Sequence, residues 1–295
     1  MEIKNNIYKT LENGFKSWLE TLGYAKTTVK GSPALVKEFF FFLEQKQIFS
    51  IEKVTTQLIK AYFIYLSRRR HSKKPGALSN NTLRNNLGAL RRLAKYLRET
   101  GQGNMEIPVT IPVGYQGIKT ILTKQEIKQL YQVADQTALG LRDKAMLSVY
   151  YGCGLRRNEG INLNVTDIQP DANKLLVRKG KGYKERFVPM TQAVKTGLEN
   201  YLVHARTILT AGKADETAFF VNVKGTRLSG NMMYERLQQL KEKAGIIKDI
   251  GLHTLRHSIA THLLKDGMKI EMVSRFLGHS SLGSTQIYTH IANET

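Results

Sequence analysis

Apolar residues recur at helical spacing from the start of the chain. Ile7, Leu11, Phe15, Trp18, Leu19 and Leu22 mark one face of a helix that Gly23 stops. The pattern predicts a second helix over 27–47, which carries the phenylalanines, and a third over 55–69 with Leu58, Ile59, Tyr62, Phe63 and Leu66 as its buried side. The following segment holds Arg68, Arg69, Arg70, Lys73 and Lys74 before Pro75-Gly76 and reads as a loop. Ser79 then caps a fourth helix that ends before Gly101. Leu83, Leu87, Leu90, Ala94 and Leu97 form one stripe of it, and Arg84, Arg91, Lys95 and Arg98 form a basic ridge about a quarter-turn away.

No helical period survives over 101–121, which carries Pro108, Pro112 and four glycines. The expected organisation is a helical domain over 1–104, a linker over 105–121 and a second domain over 122–295. Thr123 and Glu126 make a capping box at the start of that second domain. A helix over 141–151 leads into Gly152-Cys153-Gly154, and a new helix is expected around Arg156. Two strands over 174–178 and 185–189 flank the turn 179–184, and 218–222 with 226–228 adds a small strand. Helices are predicted over 229–244, from His253 to Gly267 and over 270–277, with Tyr288 in a further segment. The fold class is therefore mainly α, with a small antiparallel sheet in the second domain.

Charge changes the picture more than size does. The 295 residues hold 45 Lys+Arg against 24 Asp+Glu, a net +21. Such an excess points to a polyanionic partner, nucleic acid before an anionic membrane surface. Residues 1–112 carry 19 basic and 8 acidic side chains, so +11 lies there and +10 in the remainder. The basic ridge and the loop before it are candidates for contact with a phosphate backbone, a solvated charged face being the alternative. One cysteine, Cys153, allows no internal disulfide and fits a reducing compartment. The polar first ten residues do not read as a signal peptide, and the apolar run Phe39 to Leu43 is too short for a membrane span. A cytoplasmic protein is expected.

The reactive side chains converge on one chemistry. Arg156, Lys181, His253, Arg256, His279 and Tyr288 stand in short predicted elements, with His253 and Arg256 on one helix face. Two guanidiniums can grip a phosphodiester and stabilise its pentacoordinate state. A histidine can move a proton, a lysine can protonate a leaving alkoxide, and a phenol can attack phosphorus to form a covalent ester. Taken singly, each has a plainer role. Arg156 can pair with Glu159, Lys179 or Lys184 can stand in for Lys181, His279 can cap a helix, and Tyr288 can be a core phenol. His253 and His257 have the spacing of metal ligands, but a third ligand is missing. No metal and no cofactor is expected.

Order and spacing carry a family resemblance. G-L-R-x-x-E at 154–159, G-K-G-x-K-E-R-x-V-P at 180–189, H-x-L-R-H-x-x-A-T-H-L-L at 253–264, L-G-H-S at 277–280 and T-Q-I-Y-T-H at 285–290 resemble the tyrosine recombinases, or phage integrase family, and the Xer-like members among them. The helical first half resembles the family's SAM-like core-binding domain. The resemblance implies a C-shaped clamp on double-stranded DNA at an inverted-repeat core site, without membrane attachment, and a homotetramer on two sites, alone or with a second recombinase. It implies strand exchange through a 3′-phosphotyrosyl ester and a Holliday junction, in a bacterial, nucleoid-associated setting. Tyr288 is then the nucleophile and Arg156 and Arg256 the phosphate clamp. His253 is the acid/base, Lys181 the acid for the leaving 5′-hydroxyl, and His279 a phosphate-contacting or orienting group, with Glu159 in a supporting place. Gly160 stands where the family has a larger apolar residue, a cost in helix stability. Seven residues follow Tyr288, so the family's further C-terminal helix is expected to be either absent or cut off. A type IB topoisomerase-like enzyme is the nearest rival, distinguished by relaxation without recombinants. A DNA-binding protein with a vestigial site is the other, distinguished by binding without cleavage.

Overall fold

Short polar side chains set the helix starts throughout the chain. Asn5, Thr55 and Ser79 in the first half, and Thr123, Thr137, Thr191 and Ser229 in the second, each accept a hydrogen bond from a backbone N–H of the following helix. The computed structural model describes residues 2–69, 76–112, 120–178, 185–213, 215–279 and 285. The chain divides into two units, residues 1–116 and 117–295. Among the described residues no helix is long and apolar enough to cross a membrane.

The first unit is built on α1 (Asn6–Thr21), α2 (Lys26–Gln45), α3 (Thr56–Arg68) and α4 (Asn80–Glu99). Its core is rich in aromatics: Tyr8, Phe15, Phe39, Phe40, Tyr62 and Tyr96 are buried together. Tyr8, not Ile7, takes the inward place on α1, because its ring stacks on Phe40 at 4.5 Å and its hydroxyl donates to the Ile48 carbonyl at 2.9 Å. Ile7 and Leu22, expected on the apolar face, are exposed. Residues expected to begin the linker instead pack on this core. Met105 and Val109 are buried and Ile107 and Ile111 lie against it, while Glu106, Pro108 and Thr110 face solvent. This is the two-residue alternation of an extended segment, which proline tolerates where a helix does not.

The second unit contains α5 (Lys124–Val133), α6 (Ala138–Leu147), α7 (Arg157–Ile161), strands β1 (Ile168–Gln169), β2 (Lys174–Val177) and β3 (Arg186–Pro189), then α8 (Gln192–Asn200), α9 (Thr207–Leu209), α10 (Gly230–Lys243), α11 (Leu252–Lys265) and α12 (Ile270–Leu277). The sheet is antiparallel in the order β1-β2-β3, with Leu175 opposite Ile168 on one side and Val188 on the other. Leu175, Val177 and Val188 point into the core, so Arg186, two residues before Val188, stands on the inward-facing register.

Three features differ from the expected elements. The helix predicted over 141–151 ends at Leu147 and widens into a π-turn, Ser148–Gly152. The run from α8 through a second π-turn, Tyr201–Arg206, into α9 was not expected, although Val194, Leu198, Tyr201 and Ala205 are buried at helical spacing. Residues 218–228 form only isolated bridges, Asn164 with Ala218 and Val221 with Arg227. There, side chains replace a ladder. The Val221 N–H donates to the Tyr201 hydroxyl at 3.2 Å, and the buried Arg142 donates to the Val221 carbonyl at 3.0 Å.

Candidate active site

The site begins at a turn that only glycine permits. Gly154 has φ +59°, and a Cβ there would lie 2.9 Å from Leu277 and 3.0 Å from Phe276. Leu155 is buried beyond the turn, and Arg156 stands at the N-cap of α7. Glu159, in the first turn of α7, reaches back so that its Oε2 accepts from the Arg156 backbone N–H at 2.8 Å. Gly160 carries a packing reason that its helix cost concealed: a Cβ would lie 2.6 Å from the Tyr150 ring, whose hydroxyl donates to the Arg157 carbonyl at 3.0 Å.

Helix α11 supplies the second arginine. His253 and Arg256 lie one turn apart, His253 exposed and Arg256 buried. The Arg256 guanidinium donates to the carbonyls of Gly154 and, at 2.8 Å, Leu277. Arg156 donates through Nη2 to the Gly278 carbonyl at 2.8 Å. Two guanidiniums 100 positions apart in sequence thus hang on consecutive carbonyls at the end of α12, where helix carbonyls lack intrahelical partners. Gly278 ends that helix in the left-handed region at φ +64°, and His279 follows with its Nδ1 2.6 Å from the Thr285 hydroxyl.

A single buried carboxylate ties these groups together. Glu159 Oε1 accepts from Arg156 Nη1 at 2.8 Å and from Arg186 Nη1 at 2.9 Å, and its Oε2 accepts from Arg186 Nη2 at 2.9 Å. Arg256 Nη1 is 3.8 Å from Oε2. Burial by itself would push the Glu159 carboxyl up, but the bonds and charge of Arg186, followed by the bonds from Arg156, hold it down at about 2. Glu159 is therefore ionised across the physiological range. The expected pairing of Arg156 with Glu159 is present, and it coexists with a second and a third guanidinium.

Arg186 was not among the expected site residues. Its signal was an arginine on the inward register of a strand, a place an unpaired charge does not occupy. His262 was missed as well. It is buried, bonds the Tyr151 hydroxyl at 2.9 Å and the Leu122 carbonyl, and is held below the ordinary histidine range by burial and then by Lys124. The Leu122 N–H donates to Ser258 at 2.9 Å, so α11 grips the start of this unit at two points one turn apart.

Arg156, Glu159, Arg256 and His279 are brought together through the end of α12, and His253 stands on the same helix as Arg256. Lys181 and Tyr288 lie outside the described residues, as do Arg70, Lys73 and Lys74. In the first unit Arg68 and Arg98 are exposed, each in the last turn of its helix. Arg69 turns inward to the buried Glu38, a carboxylate that needs a cation. Arg84 donates to the Pro112 carbonyl at 2.5 Å and Arg91 to the Val109 carbonyl at 3.3 Å. Lys95 lies 3.6 Å from Glu99 and over the Trp18 ring at 5.7 Å.

Residues 120–295 match the phage integrase family, and residues 10–101 match the phage integrase SAM-like domain. The tyrosine recombinase XerC of Oceanobacillus iheyensis is 32% identical over 96% of this chain and 94% of its own length. The chain belongs to the phage integrase family. It is a tyrosine recombinase, an enzyme of site-specific DNA recombination that cleaves and rejoins strands. Its fold is shared by the XerH site-specific recombinase in a post-cleavage complex with palindromic difH substrate, at a TM-score of 0.71 and 21% identity over 97% of this chain and 82% of that one. A lambda integrase tetramer bound to a Holliday junction has the same fold, at a TM-score of 0.66 and 17% identity over 95% of this chain and 76% of that one. In this recombinase the guanidinium pair on the Leu277 and Gly278 carbonyls is the feature suited to a phosphodiester.

Proposed function

We propose that this recombinase cuts DNA with Arg156 and Arg256 as a clamp on the scissile phosphate and Tyr288 as nucleophile. The observation that carries the reading is the pair of guanidiniums, 100 positions apart in sequence, held by adjacent carbonyls and one buried carboxylate. Their N–H groups stabilise the equatorial oxygens as phosphorus becomes pentacoordinate. The Tyr288 oxygen attacks phosphorus while His253 takes the phenol proton. The bond to the 5′-oxygen breaks, and Lys181 protonates the leaving oxygen. His279 orients the phosphate, and Glu159 holds the arginines. The 3′-phosphotyrosyl ester keeps the energy of the broken bond, so attack by a second 5′-hydroxyl rejoins a strand without ATP.

The first unit, with Arg84, Arg91, Lys95 and Arg98 on α4 and the basic residues around 68–74, supplies backbone contacts on the duplex. The reading includes a helical domain over 1–104, a linker over 105–121 whose first residues pack on the first core, and a catalytic domain over 122–295. The substrate is an inverted-repeat core site, and four protomers act on two sites through a Holliday junction, in a bacterial cytoplasm at the nucleoid. The lambda integrase tetramer on a Holliday junction supports that assembly by its fold. The test is a nicked suicide substrate resolved on a denaturing gel. Wild-type protein is expected to form a covalent adduct, and Tyr288→Phe to bind the same DNA with none. An adduct surviving in Tyr288→Phe overturns the assignment.

A further inference from the structure

Glu159 is filled to capacity. A carboxylate offers about four acceptor sites, and those of Glu159 take the Arg156 backbone N–H, Arg156 Nη1, Arg186 Nη1 and Arg186 Nη2 at 2.8–2.9 Å. Arg186 makes the two-point contact, end-on through Nη1 and Nη2. Arg156 touches the carboxylate with one guanidinium nitrogen only, and its other contact is through the backbone. Its second terminal nitrogen is spent on the Gly278 carbonyl. Among the described residues, then, two of the five N–H groups of the Arg156 guanidinium are engaged.

Arg186 is built into this place. It comes from β3, whereas Arg156 and Glu159 stand at the start of α7 and Arg256 on α11, and its side chain is 15% exposed. A Cβ at position 278 would lie 2.6 Å from its Nε, so Gly278 leaves room both for a left-handed helix end and for this arginine. The same residue, Gly278, accepts the Arg156 bond on its carbonyl. Arg186 thus touches both anchors of Arg156, the carboxylate and the helix end.

We propose that Arg186 is a positioning residue for the phosphate clamp: by occupying one full side of Glu159 it restricts Arg156 to a single-nitrogen contact, leaving that guanidinium able to fork onto a phosphate. Take Arg186 away and a buried carboxylate has two open acceptor sites beside two guanidiniums. The low-energy answer is a two-point pair with Arg156 or Arg256, the same fork a phosphate would use. Arg186 also leaves the cluster of three guanidiniums and one carboxylate at a formal +2, which favours the doubly charged phosphorane. Its role is geometric and electrostatic, and it acts through Glu159. This inference rests on the proposed role of Arg156 in phosphate binding.

The experiment measures single-turnover adduct formation by the full chain on a suicide substrate at saturating protein, with DNA affinity and thermal melting measured alongside. Arg186→Met is expected to slow adduct formation by about 10²-fold, with affinity held within about twofold because the clamp acts mainly on the transition state. Arg186→Lys keeps the charge but loses the fork and is expected to be slowed about tenfold, with melting unchanged. In the Glu159→Gln background, Arg186→Met is expected to add nothing further, since both act on one carboxylate. An Arg186→Lys protein reacting at the wild-type rate overturns the proposal, as do additive losses in the double variant or rate and affinity falling together. If Arg186→Met does not fold, Arg186→Lys alone decides. Absence of any adduct with the wild-type chain would instead overturn the assignment of the site itself.

Discussion

The two units use basic residues in opposite ways. In the second unit three arginines surround one buried carboxylate, and two of them, Arg156 and Arg256, are also held by carbonyls at or beside the end of α12. In the first unit Arg84 and Arg91 lie on the carbonyls of an extended segment, and Lys95 pairs with Glu99 across one exposed helical turn. A buried acid holds cations to a fixed geometry, which is what a reaction at one phosphorus atom needs. Carbonyl and solvent contacts leave charge on a surface, which suits a polyelectrolyte backbone. Arg69 shows the boundary between the two modes: on meeting the buried Glu38 it becomes a structural pair despite its place in a run of basic residues.

The comparison breaks first at Glu159. Glu159→Ala leaves three guanidiniums around an empty space, and the expected loss is about 3–5 kcal/mol in urea unfolding, with adduct formation abolished. A loss below about 1 kcal/mol would mean that the carboxylate does not organise the cluster. The pH dependence has a matching sign. The folded Glu159 carboxyl is held at about 2 from an ordinary 4.5, so its stabilisation is complete above 4.5 and is lost as pH falls through about 2. Acid unfolding of Glu159→Gln should lack that component.

A smaller effect is expected on α4. The double variant Arg84→Ala/Arg91→Ala should weaken DNA binding for all sequences alike and lower the salt slope by about 2, with the adduct rate at saturating protein unchanged. A change in rate with no change in salt slope would erase the distinction between the two regions. The smallest effect is at His262, a buried titratable group with no carboxylate in hydrogen-bond contact among the described residues. Its folded value is depressed, so the neutral ring is favoured, and its stabilisation is present above the ordinary histidine range and lost as pH falls below it. Melting of the wild type should therefore drop on going from pH 7.5 to pH 5.5 (about one unit either side of an ordinary histidine), and His262→Gln should flatten that drop.

Much of the helical framework was legible because it is local. Caps at Ser79, Thr123 and Ser229 and stops at Gly23, Gly101 and Gly267 act over a few residues, and the elements between them follow. Elements were missed where two signals competed. Residues 105–111 alternate in and out, but Pro108 and the following Pro112 suggested a linker. Residues 192–209 are helical, but a π-turn shifts the period midway. The candidate site was legible as motifs, so Arg156, Glu159, Arg256 and His279 could be named before their geometry was known. Arg186 lies within one of those motifs, and its one local signal is its place two residues before Val188 on the inward register of the predicted strand.

The sequence by itself determined the family, most of the helices and the set of reactive side chains, since each depends on residue type and short-range spacing. Only the tertiary structure decided which cations share a carboxylate. Glu159 meets Arg156 from its own turn, Arg186 from a strand and Arg256 from a helix nearly a hundred residues later. A buried charge must be neutralised wherever the fold places it, and hydrogen-bond geometry, not sequence distance, selects the partners.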